Sequence, residues 1–206
     1  MSQPLLRESR PNLPLLWEGL AASVGGLLWL VAYAASVELG RENGSARADA
    51  SASWLAWSYF TAFAGATLAL GASLVGLQVR RWRRKTSLAG LLLATIAVGS
   101  SLANTVLLTG LLGRPRFDPF HGGTGAMATC VSAVLLGVAT WRERSIPRRA
   151  SIALLAVGSL TVVLIFASTL SFGPVPAYFV DDLPFGLAGA AWIALGAMMR
   201  VHGWRG

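Results

Sequence analysis

Hydrophobic residues in this sequence fall into six long blocks that are separated by short polar segments. The blocks show neither the strict alternation of a half-buried strand nor the single apolar stripe of a surface helix. Each is long enough for a helix to cross the roughly 30 Å hydrocarbon core of a bilayer. The blocks lie at about 15–37, 54–79, 87–112, 119–141, 150–170 and 183–201. The pattern predicts an all-α integral membrane protein, a six-transmembrane-helix bundle in which residues 1–206 form a single transmembrane domain.

The first block follows a polar segment that contains Arg7 and Arg10, an order that secretory signal peptides share. The apolar region of a signal peptide is only about 7–15 residues long. The block at about 15–37 is longer and can span the bilayer. We therefore expect a transmembrane helix here.

Composition supports a membrane protein and argues against a nucleic-acid partner. The chain is 54% hydrophobic and 13% charged, whereas about 25% of the residues in an ordinary soluble domain are charged. The net charge of +8 could suit nucleic acid, but the charges lie in short segments between apolar blocks. There they set the orientation in the bilayer, so no nucleic-acid partner is expected. Cys130 is the one cysteine, which excludes an intrachain disulfide and a CxxC pair.

The distribution of the basic residues predicts the orientation of the chain. Thirteen of the 17 Lys and Arg residues lie in the N-terminal segment, the second and fourth connections and the C-terminal segment. Because positive charge marks the cytoplasmic side, both termini are expected in the cytoplasm. The densest run is an anchor for this orientation or a patch for anionic lipid head groups. Its members are Arg80, Arg81, Arg83, Arg84 and Lys85.

The segment before the fourth block holds the candidate catalytic residues, Asp118 and His121. Asp118 is expected to cap the fourth helix, with Pro119 as its first residue. His121 would then lie in the first turn, near the outer face. No packing or capping role accounts for His121, so it is the first candidate for chemistry.

Imidazole and carboxylate groups could also form a metal site on the outer face. A bound zinc ion lowers the pKa of its water and would support a metal-dependent lipid hydrolase. Catalytic zinc usually has three protein ligands, and this face has one histidine, so no cofactor is expected. The candidate ligands are His121, Asp118, Asp181 and Asp182, with Glu38 or Glu42 as a further contributor.

Within the blocks, the polar groups are expected to be one amide and several hydroxyls. The third block contains Ser101, Asn104 and Thr105, which we expect to be buried against other helices. An amide at membrane depth is costly unless it is paired. Hydrogen bonding between helices is one explanation, and a path for a small polar solute is the alternative.

Several short motifs resemble a bacterial six-helix membrane family of unknown function that is related to the Frag/DRAM/Sfk group. The motifs are Arg116-Phe-Asp-Pro-Phe-His121, the small residues 122–127, the basic turn 142–149 and the start of the last block at 185–192. The resemblance implies that Asp118 and His121 correspond to an aspartate and histidine of that family. The spacing between them is shorter than the family pattern, and Pro184 stands where that pattern tends to carry a polar or basic residue. The resemblance also implies a bacterial inner membrane location.

Together, these features predict an accessory, structural or lipid-associated integral membrane protein without chemistry of its own. It would be a multi-pass protein and a subunit of a larger membrane complex. Its expected partners are membrane lipids, especially anionic head groups at the cytoplasmic face, and other membrane subunits. The outer-face lipid hydrolase and the small-solute transporter are the alternatives.

Overall fold

The computed structural model describes residues 13–43, 53–79, 85–113, 116–143, 148–168, 180 and 182–205. Arg80, Arg81, Arg83, Arg84 and Asp181 lie outside the described residues, as does the side chain of Lys85. Within the described ranges, six helices are long and apolar enough to cross a membrane, which confirms the predicted helical class. They are α1 (Leu13–Asn43), α2 (Trp54–Val79), α3 (Lys85–Leu108), α4 (Pro119–Glu143), α5 (Arg148–Ser168) and α6 (Leu183–Arg205).

The six helices form a closed ring in which α2 and α4 also touch each other. Each helix packs against the next one in the chain, α6 also packs against α1, and α2 contacts α4 across the middle. The spans of α2 and α4 are each 61% buried, whereas that of α3 is only 28% buried. The exposed sides of the outer helices carry leucine, valine and isoleucine, as lipid-facing surfaces do.

The ring closes where α1 and α6 meet at glycines. A Cβ atom added to Gly26 would lie 2.5 Å from the carbonyl oxygen of Gly189, and one added to Gly19 would lie 2.8 Å from that of Gly196. The two backbones are therefore in contact, which small residues permit in lipid. The pairing runs in opposite directions along the two helices, so the start of α1 lies beside the end of α6. We call this end of the bundle the Arg200 end and the other the Asp118 end.

Three helices end at least four residues away from the predicted ends of their apolar blocks, and one of them is α6, which continues to Arg205 instead of about residue 201. α1 continues to Asn43, beyond the predicted limit near residue 37. α3 stops at Leu108, four residues before the predicted limit, because Gly110 adopts a left-handed φ of 72°. The N–H groups of Gly110 and Arg116 both donate to the carbonyl of Leu107, which closes a tight turn after α3.

Candidate functional site

Asp118 caps α4, as the sequence predicted. Its Oδ1 accepts a hydrogen bond of 2.9 Å from the backbone N–H of Phe120, and its carbonyl accepts one of 3.0 Å from Gly122. Carboxylates favour this position because they satisfy N–H groups that have no partner within the helix. One half of the Asp118 carboxylate is therefore used in starting the helix.

The other half of this carboxylate holds His121. Nδ1 of His121 lies 2.5 Å from Oδ2 of Asp118, and the two side chains are 38% and 34% exposed. This hydrogen bond, followed by that from the Phe120 N–H, lowers the pKa of Asp118 below its ordinary value of 3.8. Nε2 of His121 has no partner within the described part of the chain. The pair thus presents one ring nitrogen at the surface of the Asp118 end.

Asn104 joins α3 to the residue that precedes α4. Its Oδ1 accepts a 3.0 Å hydrogen bond from the backbone N–H of Asp118, and its Nδ2 donates across 3.3 Å to the Asp118 carbonyl. Asn104 is 1% exposed, so the amide is buried as predicted, but it bonds the backbone of the residue that precedes α4 and not a group within another helix. We call the group formed by Asn104, Asp118 and His121 the clasp.

The prediction for the neighbouring hydroxyls is only half right. Ser101 is buried, whereas Thr105 is exposed on the outer side of α3. The Thr105 hydroxyl donates to the Ser101 carbonyl at 2.8 Å, so it needs no partner on another helix. The prediction that Thr105 is buried is therefore wrong.

The glycine after His121 accommodates a phenylalanine. A Cβ atom on Gly122 would lie 2.9 Å from Cε1 of Phe117, whereas one on Gly123 would meet nothing within 4 Å. The Phe117 ring stacks on Phe60 at a centroid distance of 4.5 Å. Gly122 therefore allows Phe117 to pack over the start of α4, which anchors the clasp to α2.

A continuous aromatic layer lies beneath the Asp118 end. From Phe117 it continues through Phe63 and Phe185 to Trp29, with centroid separations of 6.0, 5.0 and 5.4 Å. It connects α2, α6 and α1 with the segment before α4. Aromatic packing of this kind stabilises a structure beyond the area that it buries.

Asp182 makes a second polar link at this end of the bundle. The hydroxyl of Ser36, which is fully buried in α1, donates to Oδ2 of Asp182 at 2.5 Å. The carbonyl of Asp182 accepts from Phe185 and Gly186, so the residue also begins α6. Ser36 was not predicted, because a serine in an apolar block gives no sign of the helix that it faces.

The candidate metal ligands do not gather into one site within the described residues. His121, Asp118 and Asp182 belong to no group of three or more His, Cys, Asp and Glu side chains that could hold a metal ion there. Glu38 pairs instead with Arg41 at 3.1 Å on the surface of α1. A zinc-dependent hydrolase would therefore depend on ligands beyond the groups that the structure describes.

The Arg200 end contains buried polar groups that sequence reasoning missed. Nε2 of Gln78 donates to Ser132 at 2.7 Å, and Ser132 donates to the carbonyl of Gly90 at 2.9 Å. Glu18 is also buried, and its carbonyl accepts from Ser73 at 2.9 Å. The expectation of one amide and several hydroxyls is therefore wrong, because the bundle interior also holds a carboxylate and a second amide. Both were visible as polar residues inside apolar blocks.

No protein-family model matches the sequence, and no curated protein or solved structure matches it. The resemblance to the Frag/DRAM/Sfk group stays a prediction.

Proposed function

We propose that this chain is an accessory, lipid-associated component of a larger assembly in the bacterial inner membrane, without chemistry of its own. The hydrogen bonds of Asp118 in the clasp support this proposal. Both carboxylate oxygens and both backbone polar groups of Asp118 hold hydrogen bonds that shape the α3–α4 junction. A carboxylate that itself binds a substrate or metal would need a free oxygen, and both oxygens of Asp118 are already bonded.

Aromatic side chains at both ends support a close association with lipid. Trp54 and Phe120 are 79% and 74% exposed at the Asp118 end, and Trp17 and Trp141 are exposed at the Arg200 end. Exposed aromatic rings at the two ends of a helical bundle are typical of head-group level in a bilayer. Such rings favour lipid contact at both ends of the bundle.

The proposed orientation places the Arg200 end in the cytoplasm, on the strength of the positive-inside rule. Gly44→Cys and Arg83→Cys, each in a Cys130→Ser background, test it with a membrane-impermeant maleimide on intact cells. Residue 44 should be labelled directly and residue 83 only after the membrane is permeabilised. The reverse pattern would invert the orientation.

The size and content of the extracted protein test the accessory role. Solubilised in mild detergent, the chain should migrate well above its 21.6 kDa with other membrane proteins and retained phospholipid. His121→Gln should leave this assembly intact, because the role needs no proton transfer. A solitary chain without bound lipid or protein would overturn the proposal.

The Asp118–His121 pair favours a second candidate, a hydrolase on the outer face. A carboxylate that orients Nδ1 of a histidine leaves Nε2 available to move a proton, as a general base requires. Elemental analysis of the purified protein separates the two candidates if the hydrolase uses a metal. Stoichiometric zinc that is lost in His121→Ala would support the hydrolase and overturn the accessory role.

A further inference from the structure

Arg200 lies inside the last apolar span, on the side of α6 that faces α1. The span runs from Leu183 to Val201, and a helical side chain leans toward the start of its own helix. Arg200 accordingly reaches back along α6, where its Nη2 lies 3.4 Å from the hydroxyl oxygen of Ser23 in α1. The guanidinium is therefore held against α1 at the Arg200 end.

One nitrogen of this guanidinium has no partner within the described residues, and another has only a long contact. Its Nε is buried and has no hydrogen-bond partner there. Its bond to Ser23 is longer than the usual 2.7–3.2 Å. The ion pairs of the described chain join other residues. A cation at the edge of an apolar span needs an anion or several acceptors.

The neighbouring carboxylate is turned away from Arg200. Glu18 precedes Gly19, which packs against Gly196 of α6, but the Glu18 side chain lies on the α2 side. A Cβ atom on Gly76 of α2 would come 2.8 Å from Oε1 of Glu18. The Glu18 carboxylate therefore lies toward α2, whereas Arg200 packs on the side of α1 that faces α6.

The seam between α1 and α6 is open to lipid beside Arg200. Ser23 is half-buried and is flanked one turn before and one turn after by Leu20 and Leu27, which are exposed. On α6 the exposed positions nearby are Ala190 and Ala194, together with Val201 next to Arg200. Leucines on α1, and alanines with one valine on α6, form an apolar surface along the seam.

We propose that Arg200 and Ser23 bind the phosphate of an anionic phospholipid, with an acyl chain of this lipid lying along the α1–α6 seam. A planar guanidinium can donate to two phosphate oxygens at once, and this would occupy donors that the chain leaves unused. The inference deepens the lipid-associated part of the proposed function and rests on it. Neither residue of the site belongs to the basic run at 80–85.

Lipid titration of the purified full-length protein tests the site. Delipidated protein in detergent is titrated with dioleoyl phosphatidylglycerol, and bound lipid is counted by native mass spectrometry. Arg200→Gln should weaken this binding about tenfold or more, the effect of losing a charge-assisted pair of hydrogen bonds. The matched control is Arg149→Gln, an exposed arginine at the same end, which should change binding less than about threefold.

Two further ligands identify the source of the phosphate. Dioleoyl phosphatidylcholine should bind more weakly than phosphatidylglycerol. Only the binding of the anionic lipid should depend strongly on Arg200. Inorganic phosphate should not compete at millimolar concentration. Competition by free phosphate that is lost in Arg200→Gln would overturn the lipid assignment.

Arg200→Lys keeps the inference testable if Arg200→Gln does not fold. Lysine keeps the charge but loses Nε and the planar fork, so an intermediate loss of affinity is expected. Wild-type affinity in either variant, or an equal loss in Arg149→Gln, would overturn the site. If the protein retains lipid independently of Arg200, the Arg200 site is wrong but the accessory role is not contradicted. If the protein binds no lipid at all, both the Arg200 site and the lipid-associated part of the proposed function are contradicted.

Discussion

The amide of Asn104 bonds to both the N–H and the carbonyl of Asp118. In this way α3 holds the residue that starts α4. The two residues are 14 positions apart, on either side of the turn that ends α3. A single buried side chain therefore fixes both the distance and the direction between the two helices. The hydrogen bonds of the Asp118 carboxylate with Phe120 and His121 start from this fixed backbone.

Asn104→Leu should destabilise the protein by about 1–2 kcal/mol, because it leaves the N–H and carbonyl of Asp118 unpaired. Thermal unfolding in detergent measures this change. Thr105→Val is the matched control on the exposed side of α3 and should stay within about 0.5 kcal/mol of wild type. If Asn104→Leu leaves both stability and any measured solute flux unchanged, neither a structural bridge nor a transport path at Asn104 survives.

Gly122→Ala should destabilise the protein by about 1–3 kcal/mol, because its Cβ would displace the Phe117 ring from the aromatic layer. Gly123→Ala is its control, since the added methyl group meets nothing within 4 Å. Alanine favours a helix over glycine, so this control should be neutral or more stable by up to about 1 kcal/mol. Equal effects of the two substitutions on the unfolding temperature would contradict the packing role of Phe117.

Acid should weaken the contribution of Asp118 to stability. Its pKa is lowered in the folded protein, chiefly by the bond to His121 and then by that from the Phe120 N–H. A lowered pKa means that the stabilisation is present above the ordinary value of 3.8 and is lost as the pH falls through the folded pKa. The difference in unfolding temperature between wild type and Asp118→Asn should therefore shrink from about pH 5 to about pH 3.

Glu42→Gln serves as the control for this titration, because it removes an exposed carboxylate from the same end of the bundle. The difference in unfolding temperature between wild type and Glu42→Gln should not show the pH dependence expected for Asp118→Asn. A difference for Asp118→Asn that stays constant down to about pH 3 would show that the ionised carboxylate adds nothing to the clasp.

Gln78 and Ser132 should be energetically coupled across the bundle. Their side chains are bonded at 2.7 Å, and both are fully buried. A double-mutant cycle with Gln78→Leu and Ser132→Ala should give a coupling of about 1 kcal/mol, measured by chemical unfolding in detergent. Additive effects would mean that the hydrogen bond contributes nothing beyond the individual side chains.

The sequence predicted those features that depend on one segment at a time. Six apolar blocks identify six helices, and Asp118 before Pro119 identifies a helix start, because both patterns are local. Gln78 and Ser132 are 54 residues apart, and their pairing depends on which faces of α2 and α4 meet. Thr105 was misplaced for the same reason, since hydroxyls spaced along a helix do not show which side faces lipid. Phe117 over Gly122 required knowledge of side-chain direction.

The closure of the ring by α1 and α6 requires α1 to wait until α6 has been synthesised. Ser36 and Asp182 are 146 residues apart, and a ribosome adds about 5–20 residues per second. α1 therefore waits on the order of ten seconds in the membrane before α6 emerges to cover its glycine face. During that interval Ser36 and the bare glycines of α1 are available to any other small-residue helix.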